Sequence, residues 1–293
     1  MNEKTGPFAK IGSARRGIAW MLLSILIATV MDTTAKYLTQ FYPVLQIIWA
    51  RYIFQAVLVF IVLAPRLPRL AQTNRLGMQL LRSAILLAAS IFFLFGLRSV
   101  PLADASAIMF MAPLIVIALS VPLLKERVGP RRWMAVVVGL IGALIIVRPG
   151  VGVMQTAALF PVGTAVLYAF YMIATRHLSH TDSPVTTLIY TACVGAVVMS
   201  AIAPFVWIAP DMKGWLLLVV LGCLGAGCHF ALIKAFDEAA ASAVTPFEYS
   251  RLIWATVLGF LVFGDLPDGW TIVGATLIVA AGLYVYRRES RTR

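Results

Sequence analysis

Long apolar stretches separated by short connections make up most of the sequence, and this pattern limits the possible folds more than any other feature. A helix of about 20 apolar residues is about 30 Å long, which matches the hydrocarbon core of a bilayer. By this measure ten candidate spans cover residues 17–38, 44–63, 77–97, 102–124, 132–148, 157–178, 185–208, 214–236, 241–263 and 269–286. The mean hydropathy of +0.92 lies well outside the range of water-soluble domains. We therefore predict an all-α integral membrane protein with ten transmembrane helices.

The net charge of +12 comes from basic residues that lie mainly in the connections between spans. No single basic face or aromatic-basic motif accompanies them, so the charge does not indicate a nucleic-acid partner. The basic residues concentrate before span 1, between spans 2 and 3, between spans 4 and 5, and after span 10 (Lys4, Lys10, Arg15, Arg16; Arg66, Arg69, Arg75; Lys125, Arg127, Arg131, Arg132; Arg287, Arg288, Arg291, Arg293). The positive-inside rule then predicts a multi-pass protein of the inner (plasma) membrane with both termini in the cytoplasm.

The two halves of the sequence resemble each other. The matching segments are AKYL with TRHL (35–38 and 175–178), ADASA with AAASA (103–107 and 239–243), and Trp133 with Trp270. Because their order and offsets are similar, we predict one five-helix repeat in residues 1–150 and a second in residues 151–293. Five is an odd number of spans, so the second repeat must cross the membrane in the opposite direction. Such inverted repeats are typical of secondary transporters.

Several segments resemble the drug/metabolite transporter superfamily, and within it the EamA-type ten-helix exporters. The resemblance rests on the two repeats, on LKERVGPRRW after span 4 and on ASAVTPFEYSRLIWATVLGFLVFGD at span 9, and it covers nearly the whole chain. Glu126 and Asp265 stand where this family often carries an acidic residue after the fourth helix of each repeat. The resemblance implies export of small metabolites through a cavity lined by the first, third and fourth helices of each repeat. Within the superfamily the chain resembles the YddG-type amino-acid exporters.

Charged residues inside the spans are candidates for solute binding or coupling, because a charge in lipid is costly and is usually paired or functional. Asp32 and Arg51 both fall in the outer half of the membrane, where they could pair. Glu248 and Arg251 are three residues apart, so they share one helix face and could form a second pair. For each pair a purely structural role and a role in contacting a zwitterionic solute are both open.

Two prolines fall in the fourth span of their repeats, Pro113 in the first and Pro246 in the second. Proline removes a backbone donor, so each is expected to kink its helix. A kink in both repeats is also typical of helices that gate a cavity.

The remaining candidates have an ordinary packing role as their alternative. We place Tyr168 and Tyr171 close to the midplane, His229 at the depth of Glu248, and Met109 in an adaptable apolar lining. Basic residues near span ends are expected to extend their charges toward water (Lys36, Arg98, Arg176 and Lys234).

These features predict a secondary transporter that exports small metabolites by alternating access, with amino acids as the preferred substrate class. A multidrug, nucleoside or other metabolite carrier of the same superfamily is the first alternative, and a lipid-modifying enzyme or a channel is the alternative of another class. The sequence contains no Walker motif, so ATP is not expected to drive transport directly. No cofactor and no metal are expected, the partners are a small-molecule substrate and the lipid bilayer, and a monomer is the working expectation.

Overall fold

The computed structural model describes residues 7–124, 128–148, 154–178, 181–239 and 241–292, and within them it contains helices but no strand. The α-helices are α1 (Pro7–Leu38), α2 (Val44–Leu63), α3 (Leu67–Leu70), α4 (Leu76–Leu97), α5 (Leu102–Met109), α6 (Ala112–Leu124), α7 (Pro130–Val147), α8 (Met154–Leu178), α9 (Pro184–Ile202), α10 (Met212–Glu238), α11 (Ala241–Val244), α12 (Arg251–Phe263) and α13 (Gly269–Thr292). Short 3-10 segments cover Ala64–Arg66, Ala203–Val206 and Thr245–Ser250.

Helix starts follow from the residues that punctuate the connections. Proline occupies the position before or at the start of several helices, where its missing N–H costs nothing, as at Pro43 and Pro184. Polar caps satisfy free N–H groups at the starts of α9 and α10. The Ser183 side chain accepts from the Thr186 backbone N–H at 3.0 Å, and Asp211 accepts from that of Gly214 at 2.7 Å.

Eight helical segments of the described chain are long and apolar enough to cross a membrane. They correspond to the first eight predicted spans and include residues 102–123 as one segment. The ninth predicted span is divided into α11, a 3-10 segment and α12, and the apolar part of α13 is the shorter stretch Gly269–Val285. An all-helical integral membrane protein is thus confirmed, while ten spans and the inverted repeat stay predictions.

The fourth predicted span of each half is interrupted. Between α5 and α6 the chain makes a turn at Phe110 and Met111, just before Pro113. In the second half Pro246 lies within the 3-10 segment Thr245–Ser250 that precedes α12. Local breaks near both prolines are therefore confirmed.

Helix packing brings the two halves of the chain together. The largest contacts join α1 to α10, α4 to α8, and α7 to α13, while α2 lies against both α9 and α10. Gly142 of α7 and Gly274 of α13 permit a close crossing, because a Cβ at Gly142 would stand 2.7 Å from the Gly274 carbonyl oxygen. The exterior is apolar, as Phe205 and Leu261 illustrate with exposed fractions of 87% and 70%.

Polar contacts between connections define two faces of the bundle. On one face, the Tyr42 hydroxyl donates to Asp211 at 3.1 Å; we call this the Tyr42 face. On the other, Asp182 accepts from the Thr73 hydroxyl and from the Gln79 amide, both at 2.6 Å; we call this the Asp182 face. The charged interior described next lies between these faces.

Candidate functional site

An ion pair between α1 and α12 lies at the centre of the candidate site. An Nη2 group of Arg251 donates to the Asp32 carboxylate, whose residue is only 5% exposed. The Arg251 guanidinium also lies 5.9 Å from the centre of the Phe93 ring. Because Asp32 belongs to the first half of the chain and Arg251 to the second, the pair connects the two halves inside the bundle.

The predicted pairing pattern was wrong. Asp32 pairs with Arg251 and not with Arg51, and Glu248 forms no ion pair with any residue that the structure describes. Arg251 begins α12 whereas Glu248 lies in the preceding 3-10 segment, and a 3-10 helix has a tighter turn than an α-helix. The interruption thus separates two side chains that one continuous helix would have placed on the same face.

Arg51 lies beside this pair without hydrogen-bonding to it. Its Nε is buried and has no hydrogen-bond partner, and its guanidinium lies 5.5 Å from the centre of the Tyr52 ring. It is nevertheless within electrostatic range of Asp32. Two guanidinium groups therefore surround one carboxylate.

A cavity of about 20 Å³ opens at this point. It is lined by one acidic, one basic and one hydroxyl side chain and by apolar residues (Asp32, Arg51, Ser90; Met31, Ala35, Ile47, Ile48, Phe93, Leu94, Leu97 and Leu221). That volume holds about one water molecule, whereas sites for metabolites occupy about 300 Å³ or more. In this conformation the cavity is therefore too small for a metabolite, and binding would require the helices around it to separate.

A second polar network surrounds Arg82 of α4, which is 5% exposed. Its guanidinium donates to the hydroxyls of Thr175 and Thr191 at 2.7 and 2.8 Å and to the Tyr171 hydroxyl at 2.6 Å. The Tyr171 ring stacks on Tyr168 with 5.2 Å between centroids. Because its nitrogens are occupied by protein groups, Arg82 holds α4, α8 and α9 together.

Tyr168 connects the two networks. It lies within electrostatic range of both Glu248 and Arg251, and it is stacked on the tyrosine that Arg82 holds. The Glu248 residue retains an exposed surface. His229 donates a hydrogen bond from Nδ1 to the Gly225 carbonyl oxygen at 2.9 Å. It also lies within electrostatic range of Arg51 and Arg82.

The other predicted site residues lie outside this interior cluster. Met109 packs at the edge of an apolar cluster that includes Ile108 and Ala165. Pro113 and Pro246 are half-buried at the helix interruptions.

Lys36 was expected to extend its charge into water, and it does not. It is 9% exposed, and its ammonium donates to the Asp265 carboxylate at 3.0 Å and to the Val100 carbonyl at 3.1 Å. Desolvation makes water unavailable to this charge, so Asp265 takes the place of solvent. The resemblance had singled out Asp265, and its counterpart Glu126 lies outside the described residues.

The ion pair between Lys36 and Asp265 lies toward the Tyr42 face, and a second ion pair lies on that face. Arg148 donates to Asp268, and this hydrogen bond, together with that from the Thr271 N–H, lowers the pKa of the Asp268 carboxyl below its ordinary value. Two ion pairs thus stabilise the Tyr42 face: one joins α1, and the other joins the end of α7, to the connection between α12 and α13.

Sequence reasoning missed Arg82, Lys36 as an interior residue, and Gln55. Gln55 is 1% exposed, and its side-chain oxygen has no hydrogen-bond partner. The signal for Arg82 was present, since a charge six residues into an apolar helix is a functional or structural site by default. Gln55 carried no comparable signal, because a single uncharged amide is common in an apolar span and does not by itself indicate a site.

An all-helical bundle with an apolar exterior and a charged interior is typical of membrane transporters. The chain belongs to the EamA-like transporter family, whose profile matches residues 15–148 and 155–287. Membership of this family within the drug/metabolite transporter superfamily was predicted and is confirmed.

Named relatives cover nearly the whole chain. The chain is 28% identical over 276 residues to an S-adenosylmethionine uptake transporter of Rickettsia prowazekii (strain Madrid E), covering 94% of each protein. It is 31% identical over 285 residues to a riboflavin transporter of Vibrio cholerae serotype O1, again covering 94% of each. A pseudopaline exporter of Pseudomonas aeruginosa is 26% identical over 280 residues, covering 94% of this chain and 97% of the relative.

A solved crystal structure has the same fold. It matches with a TM-score of 0.59 at 19% identity, covering 92% of this chain and 95% of the other. The chain is therefore a multi-pass membrane transporter of a bacterial family, and the names of its relatives point away from an enzyme. None of the three named relatives is described as an amino-acid exporter, so that prediction lacks their support.

Proposed function

We propose that the protein is a secondary carrier that moves a small solute bearing both positive and negative groups by alternating access. The ion pair between Asp32 and Arg251 is the observation that carries the proposal. It joins the two halves of the chain beside an interior cavity, where a zwitterionic solute can offer complementary charges to both partners. Glu248, Tyr168 and Tyr171 extend this site toward the Asp182 face.

The proposed architecture is two inverted repeats of five spans each. The family profile matches twice, which supports a duplicated unit. In this arrangement α1 corresponds to α8, α4 to α10 and α7 to α13. The contact between α1 and α10 therefore has the contact between α8 and α4 as its counterpart, and both are among the largest in the bundle. The contact between α7 and α13 is its own counterpart.

Polar contacts at the two faces support the same symmetry. Lys213, near the start of α10, donates to the Tyr37 hydroxyl at 3.3 Å near the end of α1. At the corresponding place in the other half, Arg75 hydrogen-bonds His177 near the end of α8. The positive-inside rule then orients the Tyr42 face outward and the Asp182 face toward the cytoplasm.

Membership of the family fixes neither the substrate nor the direction of transport, so both are part of the proposal. The named relatives include an uptake transporter and an exporter, so both directions occur among similar proteins. Export is the direction we propose. Solutes with an amino-acid group remain in the proposed class because they are zwitterionic, and uniport and proton coupling are both compatible with the charged interior.

Flux in proteoliposomes tests the proposal. The purified protein is reconstituted, and uptake of labelled amino acids, nucleosides, riboflavin and S-adenosylmethionine is measured against empty liposomes. Saturable flux of at least one charged solute is expected, together with its loss in Arg251→Gln and its reduction in Glu248→Gln. Normal transport of every accepted solute by both folded variants would remove these residues from the site.

A further inference from the structure

Arg51 supplies the second guanidinium beside Asp32, and it is an interior charge that the described residues do not pair. No hydrogen bond or ion pair involves Arg51 within the described part of the chain, and its Nε is buried without a partner. Arg82, at a comparable depth in the bundle, has three hydroxyl partners. Arg51 is partly buried, and charges inside a membrane bundle are normally paired or hydrogen-bonded, so an unpaired one indicates a ligand position.

The local charge balance shows which ligand would fit. Asp32 lies within electrostatic range of both Arg51 and Arg251, and the direct ion pair is with Arg251. Because the Asp32 carboxylate is already paired with Arg251, the positive charge of Arg51 is left in excess at the cavity, while Glu248 lies within electrostatic range of Arg251 and is not among the lining residues. An anionic group would neutralise that excess, whereas a cationic group would increase it.

The residues around Arg51 favour a solute that carries its anionic group on a partly apolar body. Arg51 shares the cavity with the Phe93 ring and with aliphatic side chains from α1, α2 and α4. Gln55, one turn further along α2, places an unsatisfied side-chain oxygen on the same helix face. Gln55 is buried and is not among the residues that line the cavity, so within this lining Arg51 alone presents a cationic donor to a solute.

We propose that Arg51 is the anchor for the carboxylate of the transported solute, beside the ion pair of Asp32 and Arg251. The inference rests on the proposed function and adds the group that is recognised and the residue that recognises it. A guanidinium binds a carboxylate through two parallel hydrogen bonds, a geometry that lysine cannot reproduce. The solute class is consequently a small carboxylate-bearing metabolite with an apolar or aromatic portion.

Arg51 differs from a structural arginine in its effect on stability. Replacing it with glutamine removes a cation that has no partner and leaves the ion pair between Asp32 and Arg251 in place. The Arg51→Gln variant is therefore expected to fold and to unfold at a temperature no lower than that of the wild type. A structural arginine would lower that temperature on removal, because its partners would be left unsatisfied.

The test compares matched solutes in proteoliposomes of the full-length protein. One pair is S-adenosylmethionine and its decarboxylated analogue, and the other is riboflavin and riboflavin 5′-phosphate. Wild-type protein is expected to prefer S-adenosylmethionine to the decarboxylated analogue. Arg51→Gln is expected to raise KM for S-adenosylmethionine by about tenfold or more and to remove this preference. Arg98→Gln, at an exposed position, serves as the matched control and should transport like the wild type.

A second variant tests the site without removing Arg51. Gln55→Glu places a carboxylate four residues after Arg51 on the same helix face, where it is expected to pair with the guanidinium and compete with the solute. A rise in KM for S-adenosylmethionine in this variant, with unchanged unfolding temperature, would support the assignment.

The outcomes distinguish the inference from the proposed function. Saturable transport with equal KM for both members of the carboxylate pair would overturn the inference and leave the carrier assignment intact. A preference confined to the phosphate pair would also overturn it, because the recognised group would then be a phosphate. Absence of saturable flux for every solute would overturn the proposed function and the inference with it.

Discussion

Arg251 and Asp32, separated by 219 positions in the sequence, form an ion pair inside the helical bundle. One partner lies in α1 and the other at the start of α12, directly after a 3-10 segment. The pair joins the two halves of the chain, so any motion that separates α1 from α12 must break it.

Removing one partner of this pair should be more damaging than exchanging the two. Asp32→Asn and Arg251→Gln each leave a charge without its partner, which typically costs about 3–5 kcal/mol for a buried pair. We expect both variants to unfold at lower temperature and to lose transport. The double variant Asp32→Arg with Arg251→Asp should recover part of the stability, as measured by thermal unfolding in detergent. Equal stability of the single and double variants would show that the two side chains do not interact.

The ion pair between Lys36 and Asp265 should limit opening of the Tyr42 face. In a background without Cys193, Cys223 and Cys228, cysteines at positions 36 and 265 can be joined by a short bifunctional methanethiosulfonate reagent. We expect the reagent to reduce flux by about tenfold or more if the Tyr42 face opens during each cycle, and a reductant to restore it. The Lys36→Cys single variant, treated in the same way, is the control. Full transport by the cross-linked protein would mean that this face does not need to separate.

Arg82 should behave as a structural residue. Its hydrogen bonds to three hydroxyls hold α4 against α8 and α9, and hydrogen bonds that involve a charged group contribute about 1.5–3 kcal/mol each. Arg82→Gln should therefore reduce the unfolding temperature and the yield of monodisperse protein, while Arg98→Gln should change neither. An Arg82→Gln protein that is as stable as the wild type but transports with an altered KM would instead place Arg82 among the solute-binding residues.

Acid should weaken the contact at the Tyr42 face that Asp211 forms. The Gly214 N–H and the Tyr42 hydroxyl both donate to its carboxylate and lower the pKa of Asp211 below its ordinary value of 3.8. Because the folded-state pKa is lowered, this contribution is fully present above the ordinary value and is lost as pH falls through the lowered one. Asp211→Asn keeps a helix-capping side chain but cannot titrate.

The stability difference between wild type and Asp211→Asn is the quantity to follow. Thermal unfolding between pH 7 and pH 3 should show a constant difference down to about pH 4 and a smaller one below it. A difference that stays constant across the whole range would mean that the Asp211 charge does not contribute.

Sequence patterns predicted the helices and their interruptions well, because both depend on local properties. Residues 44–63 were predicted as a span, and α2 covers Val44–Leu63. The prolines at positions 113 and 246 indicated breaks that the structure contains. Apolar length and helix breakers act within one segment, so no knowledge of packing was needed.

Partner choice among the interior charges could not be predicted in the same way. Depth along a span gives one coordinate of a side chain, whereas pairing also depends on which helices are neighbours and on how each is rotated. Asp32 and Arg51 have similar depths, yet the ion pair is with Arg251, because α12 lies against α1. The same limit explains why Lys36 was expected in water and instead contacts Asp265.

Counterflow tests the central claim of a carrier most directly. Proteoliposomes are loaded with an unlabelled solute that the protein accepts, and entry of the labelled solute is followed over time. An alternating-access carrier predicts transient accumulation of label above its external concentration, absent in Arg251→Gln liposomes. Entry that only equilibrates, rises linearly with concentration and is unaffected by internal solute would contradict the carrier account and indicate a channel.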